Sequence, residues 1–519
     1  MNHIPSSKAL SLALLAVWTA CSCTLAPRHE HPSPPLPAEW NAGAGQSYVL
    51  GASQESASYP EDTPSQNTRP ESQGEDWRGV IVDPSMAGLV ELALTNNRDL
   101  RVAVARIEKA RAQHAIARAD LVPHIGATGK ADMSRTPAPL SYTGEAYTSH
   151  TYSAGVGITS FEVDLFGRVR SLRERALEQF LSTVETTRGV HLALVAEVGQ
   201  AYLTLAAQRE RLALARRTLE TERITLALER GRWDHGMSSE RDVARAAGLM
   251  NAAQRDVAER AESVTAAENT LALLLGMPLT DHLAPAQALD NITPFPPIPA
   301  GLPSEVLARR PDVRAAEHDL KAANADIGAA RARYFPRIGL TASYGNASME
   351  MDDLFGGGTR TWSFVPQATL PLFHAGAIRA GVEAAEAERD IRVAQYEKAV
   401  QGAFREVSDT LARRTSLKGQ VEAQAALVSG AERSLELATQ RYEAGLDSSL
   451  DRVDAQRTET EARQQLVALR LARQSNALTL FKVLGGGWPR DTHATMSGET
   501  PVEAMSDTSN GSMAQSVKQ

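Results

Sequence analysis

Aromatic side chains are scarce in this sequence, at 5% of 519 residues. Length alone would allow about two to four ordinary domains. Ala, Leu, Glu, Arg and Gln dominate instead, a mixture suited to long helices with narrow seams. Cysteine is nearly absent. Its two copies, Cys21 and Cys23, both lie near the N-terminus. An internal disulfide framework and a thiolate metal site are therefore excluded. Charge of one sign is lacking too. Lys and Arg number 54 against 62 Asp and Glu, a net charge of −8, and no basic stripe points to nucleic acid. After the N-terminus no long uninterrupted apolar run occurs, so no helical span is predicted. A membrane crossing by the mature chain would have to use strands.

Catalytic signatures are also missing. The 12 histidines are scattered, with no HExxH and no close His–carboxylate cluster. "LFGGGTR", 354–360, is glycine-rich but lacks the Lys-Ser/Thr that grips phosphate. No G-x-S-x-G elbow is present. The expectation is a protein with no enzyme activity, no metal and no cofactor, whose energy for any transport comes from a partner.

What is present begins with "MNHIPSSKALSLALLAVWTACSC". Lys8, an apolar run from Ala9 to Ala20 and small residues before cysteine form an export signal, too short to remain as a span. A cysteine just after such a run suggests a bacterial lipoprotein, with the thiol acylated and the signal, 1–22, removed. Trp18 fits poorly three positions before Cys21, whereas Ala20 and Ser22 suit Cys23. Cys23 is the expected lipidation site, carrying acyl and diacylglycerol chains. The alternative is an ordinary cleaved signal with incidental cysteines. Thr24, rather than Asp, follows and is compatible with sorting to the outer membrane.

Residues 23–83 are expected to form a lipid-anchored extended segment and linker, because 27–76 is rich in Pro, Ser, Gln and Glu. The polar tail, 489–519, is expected to be disordered. Between them the sequence repeats. "GLVELALTNNRDLRVAVARIEKARAQHAIARADLVPHIGAT" (88–128) aligns without a gap on "GLPSEVLARRPDVRAAEHDLKAANADIGAARARYFPRIGLT" (301–341). "RWDHGMSSERDV" (232–243) matches "RYEAGLDSSLDR" (441–452). Two copies, 84–289 and 304–488, are joined by a proline-rich connector, 290–303. The unit is far too long for a short-period solenoid.

Each copy is predicted to run helix, strand, strand, long helix, return helix. The first helices cover about 84–120 and 304–334. Strands follow at about 124–134 and 149–161, then at about 337–346 and 361–372. Alternation is of period two: Ile338, Leu340, Ala342 and Tyr344 face one way, Thr341 and Ser343 the other. Pro123 and Pro336 stand where helix hands over to strand. Such strands suit a tilted bilayer crossing; the alternative is a soluble hairpin packed on its own helices. Long helices at about 167–233 and 376–442 would each span roughly 100 Å. Shorter partners at about 238–275 and 447–484 return from glycine turns at Gly236 and Gly445. Leu192, Val195, Val198, Tyr202 and Leu205 mark an ordinary apolar seam. Four strands cannot seal a barrel, since open edges in lipid leave unpaired backbone groups. Either several copies close the barrel together, or the strands do not span.

In combination "CTLAP", "NNRDLRVA", "RADLVPHIG", "FEVDLFGRVRSLRERALEQF", "LLLGMP", "RRPDVRAAE", "ARARYFPRIGL" and "RYEAGLDSSLDRVDAQR" resemble the outer-membrane efflux protein family. These are TolC-like trimeric ducts, and the match is to the lipoprotein branch that serves resistance-nodulation-division multidrug exporters. "FHAG" at 373–376 departs from the "FDGG"-like residues often found there. The resemblance implies a mixed fold, in which a homotrimer builds a transmembrane β-barrel from four strands per chain atop a long α-helical coiled-coil barrel. It implies a periplasmic membrane-fusion adaptor and an inner-membrane pump as partners, and a gate at the periplasmic mouth. The matching gate residues are Leu450, Asp451, Asp454 and Arg457, with Asp242 a weaker candidate. Threefold symmetry would turn each into a ring, where leucine blocks water and carboxylates pair with Arg or gather cations. The plain alternative is a solvated charged helix face. The turns His235, Gly236, Met237, Ser238, Ser239 and Ala444, Gly445, Leu446, Asp447, Ser448 are the candidate adaptor contacts, or else simple glycine helix stops. The expected function is passive export of drugs or other small molecules. A protein-secretion duct and a lipid-anchored periplasmic rod without a pore are the competing functions.

Overall fold

The computed structural model describes residues 25–27, 32, 39–41, 47–49, 77–279, 289, 292 and 310–486. The signal segment, Cys23 and the C-terminal tail lie outside them, as does nearly all of the connector. Within the expected tether, β1 (Glu39–Asn41) pairs antiparallel with β2 (Ser47–Val49), Trp40 opposite Tyr48.

The tether also ends earlier than expected. Trp77, Val80 and Ile81 are buried at 3%, 5% and 2% exposure, the first two on a short helix α1 (Trp77–Val80). They join the main core with Met86, Leu89 and Tyr202. Ile292, in the expected connector, belongs to the same core. The single first helix expected over 84–120 is two, α2 (Pro84–Asn96) and α3 (Arg98–Ala119). Asp83 caps α2 by accepting from the Met86 amide at 2.9 Å, with Pro84 at the first helical position. Asn97 makes the break. Its backbone leaves helical space at ψ 133°, and its side chain accepts from the Leu100 amide at 2.9 Å. Its amide also donates to the Leu274 carbonyl at 2.9 Å.

Four strands form one antiparallel sheet in the order β3 (Ile125–Thr136), β4 (Tyr147–Val163), β5 (Arg337–Ser348), β6 (Arg360–Thr369). Ile125 faces Ile158, Tyr152 faces Ser348, and Arg337 faces Thr369. The register of β4 against β5 shifts between Ile158 and Phe161. β3 and β6 are the edges, with no further strand beside either among the described residues. Nearly all of β3 and all of β6 is exposed on both faces. Ile125, Trp362 and Phe364 stand 77%, 76% and 60% exposed. The chain's own helices do not cover this sheet, so the soluble-hairpin alternative fails.

The two long helices are α4 (Arg168–Asp234) and α7 (Ala377–Glu443), 67 residues each. The return helices are α5 (Glu240–Leu275) and α8 (Ser449–Val483), and α6 (Pro311–Ala332) precedes β5. α4 packs on α2, α3, α5, α6 and α8, while α7 packs on α6 and α8. Small residues set the spacing: Ala206 and Ala207 are fully buried beside Leu203 and Leu205. A stretch of α4 is long and apolar enough to cross a bilayer by composition, but 67% of it is buried in this packing. It is the apolar seam of a helical wall. Below the main core, α7 and α8 are zipped by Val421, Val428, Ala462 and Leu466.

Candidate functional site

At the ends of the long helices farthest from the sheet, two turns are built alike. Gly236 and Gly445 each take φ 73°, the left-handed conformation that a side chain disfavours. Gly236 N–H donates to the Trp233 carbonyl and Met237 N–H to that of Arg232, both at 2.8 Å. In the second turn the Gly445 amide donates to Tyr442 at 3.0 Å and the Leu446 amide to Arg441 at 2.9 Å. These bonds satisfy the last carbonyls of α4 and α7. Ser239 and Ser448 then cap the return helices. Asp242 and Asp451 complete capping boxes, each accepting from its serine hydroxyl, at 2.5 and 2.6 Å. The Ser239 hydroxyl and amide hold the Asp242 carboxyl below its ordinary value.

The expected gate residues divide. Asp451 spends its carboxylate on the cap. Leu450 is 41% exposed and Asp454 is exposed one turn on. Asp454 is not joined by Arg457, whose partner is Glu461 at 3.7 Å in open solvent. That pair contributes little. Among the expected adaptor contacts, Met237 and Leu446 carry large apolar side chains into solvent, 64% and 69% exposed. Gly236, Ser239, Ala444, Gly445 and Ser448 are exposed around them. Three residues brace the turns from within. His235 Nδ1 meets the Gly231 carbonyl at 2.7 Å, Ser238 donates to Glu229 at 2.8 Å, and Asp447 accepts two bonds from Arg441 at 2.7 and 2.8 Å.

The sequence did not reveal a polar cluster just behind these turns, which ties α7 and α8 to α4. The Tyr442 hydroxyl donates to Glu229 at 2.6 Å and accepts from Arg232. The Arg452 guanidinium lies 5.3 Å from the Tyr442 ring centre and donates to the Thr225 hydroxyl at 3.0 Å. One turn on, Gln456 donates to Glu222 at 3.0 Å. Glu222, Thr225, Glu229 and Gln456 are all buried. Burial pushes the Tyr442 phenol up, and its bond to Glu229 adds to this. Burial also raises the Glu222 carboxyl, against the opposing pull of Arg452 and Gln456. The partners are more than two hundred residues apart, so spacing could not pair them. The one available signal is that Glu222, Thr225 and Glu229 put a polar stripe on one helix face.

Among the described residues no group of three or more His, Cys, Asp or Glu stands together as a metal site. Two stacked clefts, of 510 and 310 Å³, open between α4, α7 and α8, lined by both signs of charge, including Arg217, Arg463 and Glu432.

This architecture has close counterparts. A model of the outer membrane efflux protein family matches residues 89–277 and 302–486. The chain belongs to the outer membrane efflux protein family. It is 40% identical over 495 residues to the probable efflux pump outer membrane protein TtgC of Pseudomonas putida, covering 95% of this chain and 99% of that one. It is likewise 40% identical over 476 residues to outer membrane protein OprJ of Pseudomonas aeruginosa, covering 92% of this chain and 95% of that one. The open state of the Neisseria gonorrhoeae MtrE outer membrane channel superposes with a TM-score of 0.76 at 36% identity, covering 91% of this chain and all of MtrE. This efflux protein is thus an outer-membrane channel. Its strands belong to the membrane, its helices extend into the periplasm, and the paired turns form the periplasmic tip. The family and its named relatives are transport proteins.

Proposed function

We propose that the protein is the exit duct of a tripartite efflux pump, acting as a homotrimer anchored by an acylated Cys23. The exposed sheet with two open edges carries this reading. Each edge has unpaired backbone groups that lipid cannot satisfy. Pairing β6 of one copy with β3 of the next removes every edge at once, and three copies exceed the smallest barrels, which have about eight strands. The shared order of helix, hairpin, long helix and return helix supports an internal duplication with the boundaries given above. It places two equivalent turns per chain at the tip, so a trimer presents six.

At that tip, Met237 and Leu446 offer an apolar ring to a periplasmic adaptor, which in turn couples the duct to an inner-membrane pump. Leu450 and Asp454 line the mouth. The cluster of Tyr442, Glu229, Arg232 and Arg452 holds it closed by fastening α7 and α8 to α4. The cargo is drugs or other small molecules, in keeping with relatives named for toluene, solvent and antibiotic efflux. The channel itself needs no catalytic group.

The test is conductance of the purified protein in planar bilayers. A stepwise pore current is expected, and replacing Asp454 with Ala should raise it. No current would favour a periplasmic rod. Unchanged current in that variant would remove Asp454 from the constriction.

A further inference from the structure

Gly328 lies near the sheet-proximal end of α6 and is buried. A Cβ on it would come 2.9 Å from both the Cβ and the amide nitrogen of Ala26, and 2.8 Å from the Ser171 hydroxyl. Such distances are too short for real contacts, and one neighbour is backbone, which gives way least. Three residues along, the Arg331 guanidinium reaches the Leu25 carbonyl at 3.5 Å and is itself fixed by Glu386 of α7 at 2.9 Å. A segment that begins two residues after Cys23 is therefore seated in a notch between α6 and the start of α4.

The location matters. From Gly328 to the end of α6 the helix rises about 6 Å, and β5 begins a few residues later at Arg337. Around this junction stands a collar of rings and apolar side chains. Phe166 stacks on Phe335 at 4.7 Å, while Tyr334, Leu372 and Phe373 are 49%, 90% and 87% exposed. Rings at that level mark the membrane–water boundary of barrels. Two extended residues span at most about 7 Å, which bounds the reach from Leu25 back to a lipid on Cys23.

We infer that Gly328, with Ser171 and Arg331, is a receptor notch for the lipidated N-terminal lead of the same chain, holding Leu25–Pro27 so that the acyl chains enter the periplasm-facing leaflet of the outer membrane beside the collar. The notch rests on the reading of Cys23 as the lipidation site. Its requirement is steric: only glycine at 328 and a small residue at 26 allow the two backbones to meet.

The experiment uses the full chain with its own signal, purified from the outer membrane. Ala26→Cys is combined with Ser171→Cys in a chain that has no other cysteine beyond Cys21 and Cys23. Disulfide formation reports the seated lead, and incorporation of an alkyne-tagged fatty acid reports acylation separately. With Gly328 intact the disulfide should form in most chains. With Gly328→Leu it should be lost while fatty-acid incorporation persists. If the leucine variant does not reach the membrane, Gly328→Ala makes the same test with one methyl. No disulfide with glycine intact, or an undiminished one in the variants, overturns the notch. A disulfide without fatty-acid incorporation leaves the notch standing and removes the lipid reading.

Discussion

Single residues behind the tip decide how firmly α7 and α8 are tied to α4. Glu222 is buried, and its Oε2 has no hydrogen-bond partner. Burial raises its folded pKa above the unfolded value. Such a group contributes stability in full below the unfolded value, about 4.3, and loses it as pH rises through the folded value. Ionised Glu222 therefore weakens the tip near neutral pH, and acid relieves it. Glu222→Gln should stabilise the protein at pH 7 by about 1 kcal/mol, with the gain fading toward pH 4. Thermal melts at both pH values check this, and a gain that grows in acid would contradict it. Tyr442→Phe deletes the hydroxyl between Glu229 and Arg232. Pore conductance should rise severalfold in that variant if the cluster is the fastening. The sequence could place Asp451 and Asp454 on one face by counting. It could not show that Asp451 serves the cap, because a capping box and a charged ring draw on the same residue types.

Elements differ in how far the sequence predicted them. The long helices end within a residue or two of the predicted bounds, because Gly236 and Gly445 stop them by a local rule. Pro123 and Pro336 locate the handover to strand for the same reason. The break at Asn97 was not legible. Its cause is a bond to Leu274, far along the chain, and "NNRDL" alone permits a continuous helix. Trp77 was hidden by the polar composition before it, although a lone tryptophan at a linker's end was a clue. Two losses follow. Asn97→Ala removes a cap and an interhelix bond together and should cost about 2 kcal/mol, seen as a lower melting temperature. Ser448→Ala should cost about 1 kcal/mol and speed amide exchange in the first turn of α8, leaving α5 unchanged. Equal exchange in both helices would deny the cap its role.

At the scale of the whole molecule one constraint organises the rest. A sheet exposed on both faces and open at both edges cannot rest in lipid alone. The period-two pattern revealed the strands, and their number showed that one chain is too few. The number of copies needed cannot be counted from one chain's pattern, since closure depends on strand tilt and stagger as well. In the proposed trimer the long helices below the sheet extend the cylinder toward the periplasm, so barrel closure and tunnel closure become the same event. The most direct test is the mass of the folded protein extracted from outer membranes in mild detergent, by native mass spectrometry. A single species of three chains is predicted, and a folded, stable monomer that keeps its four-stranded sheet would contradict the account.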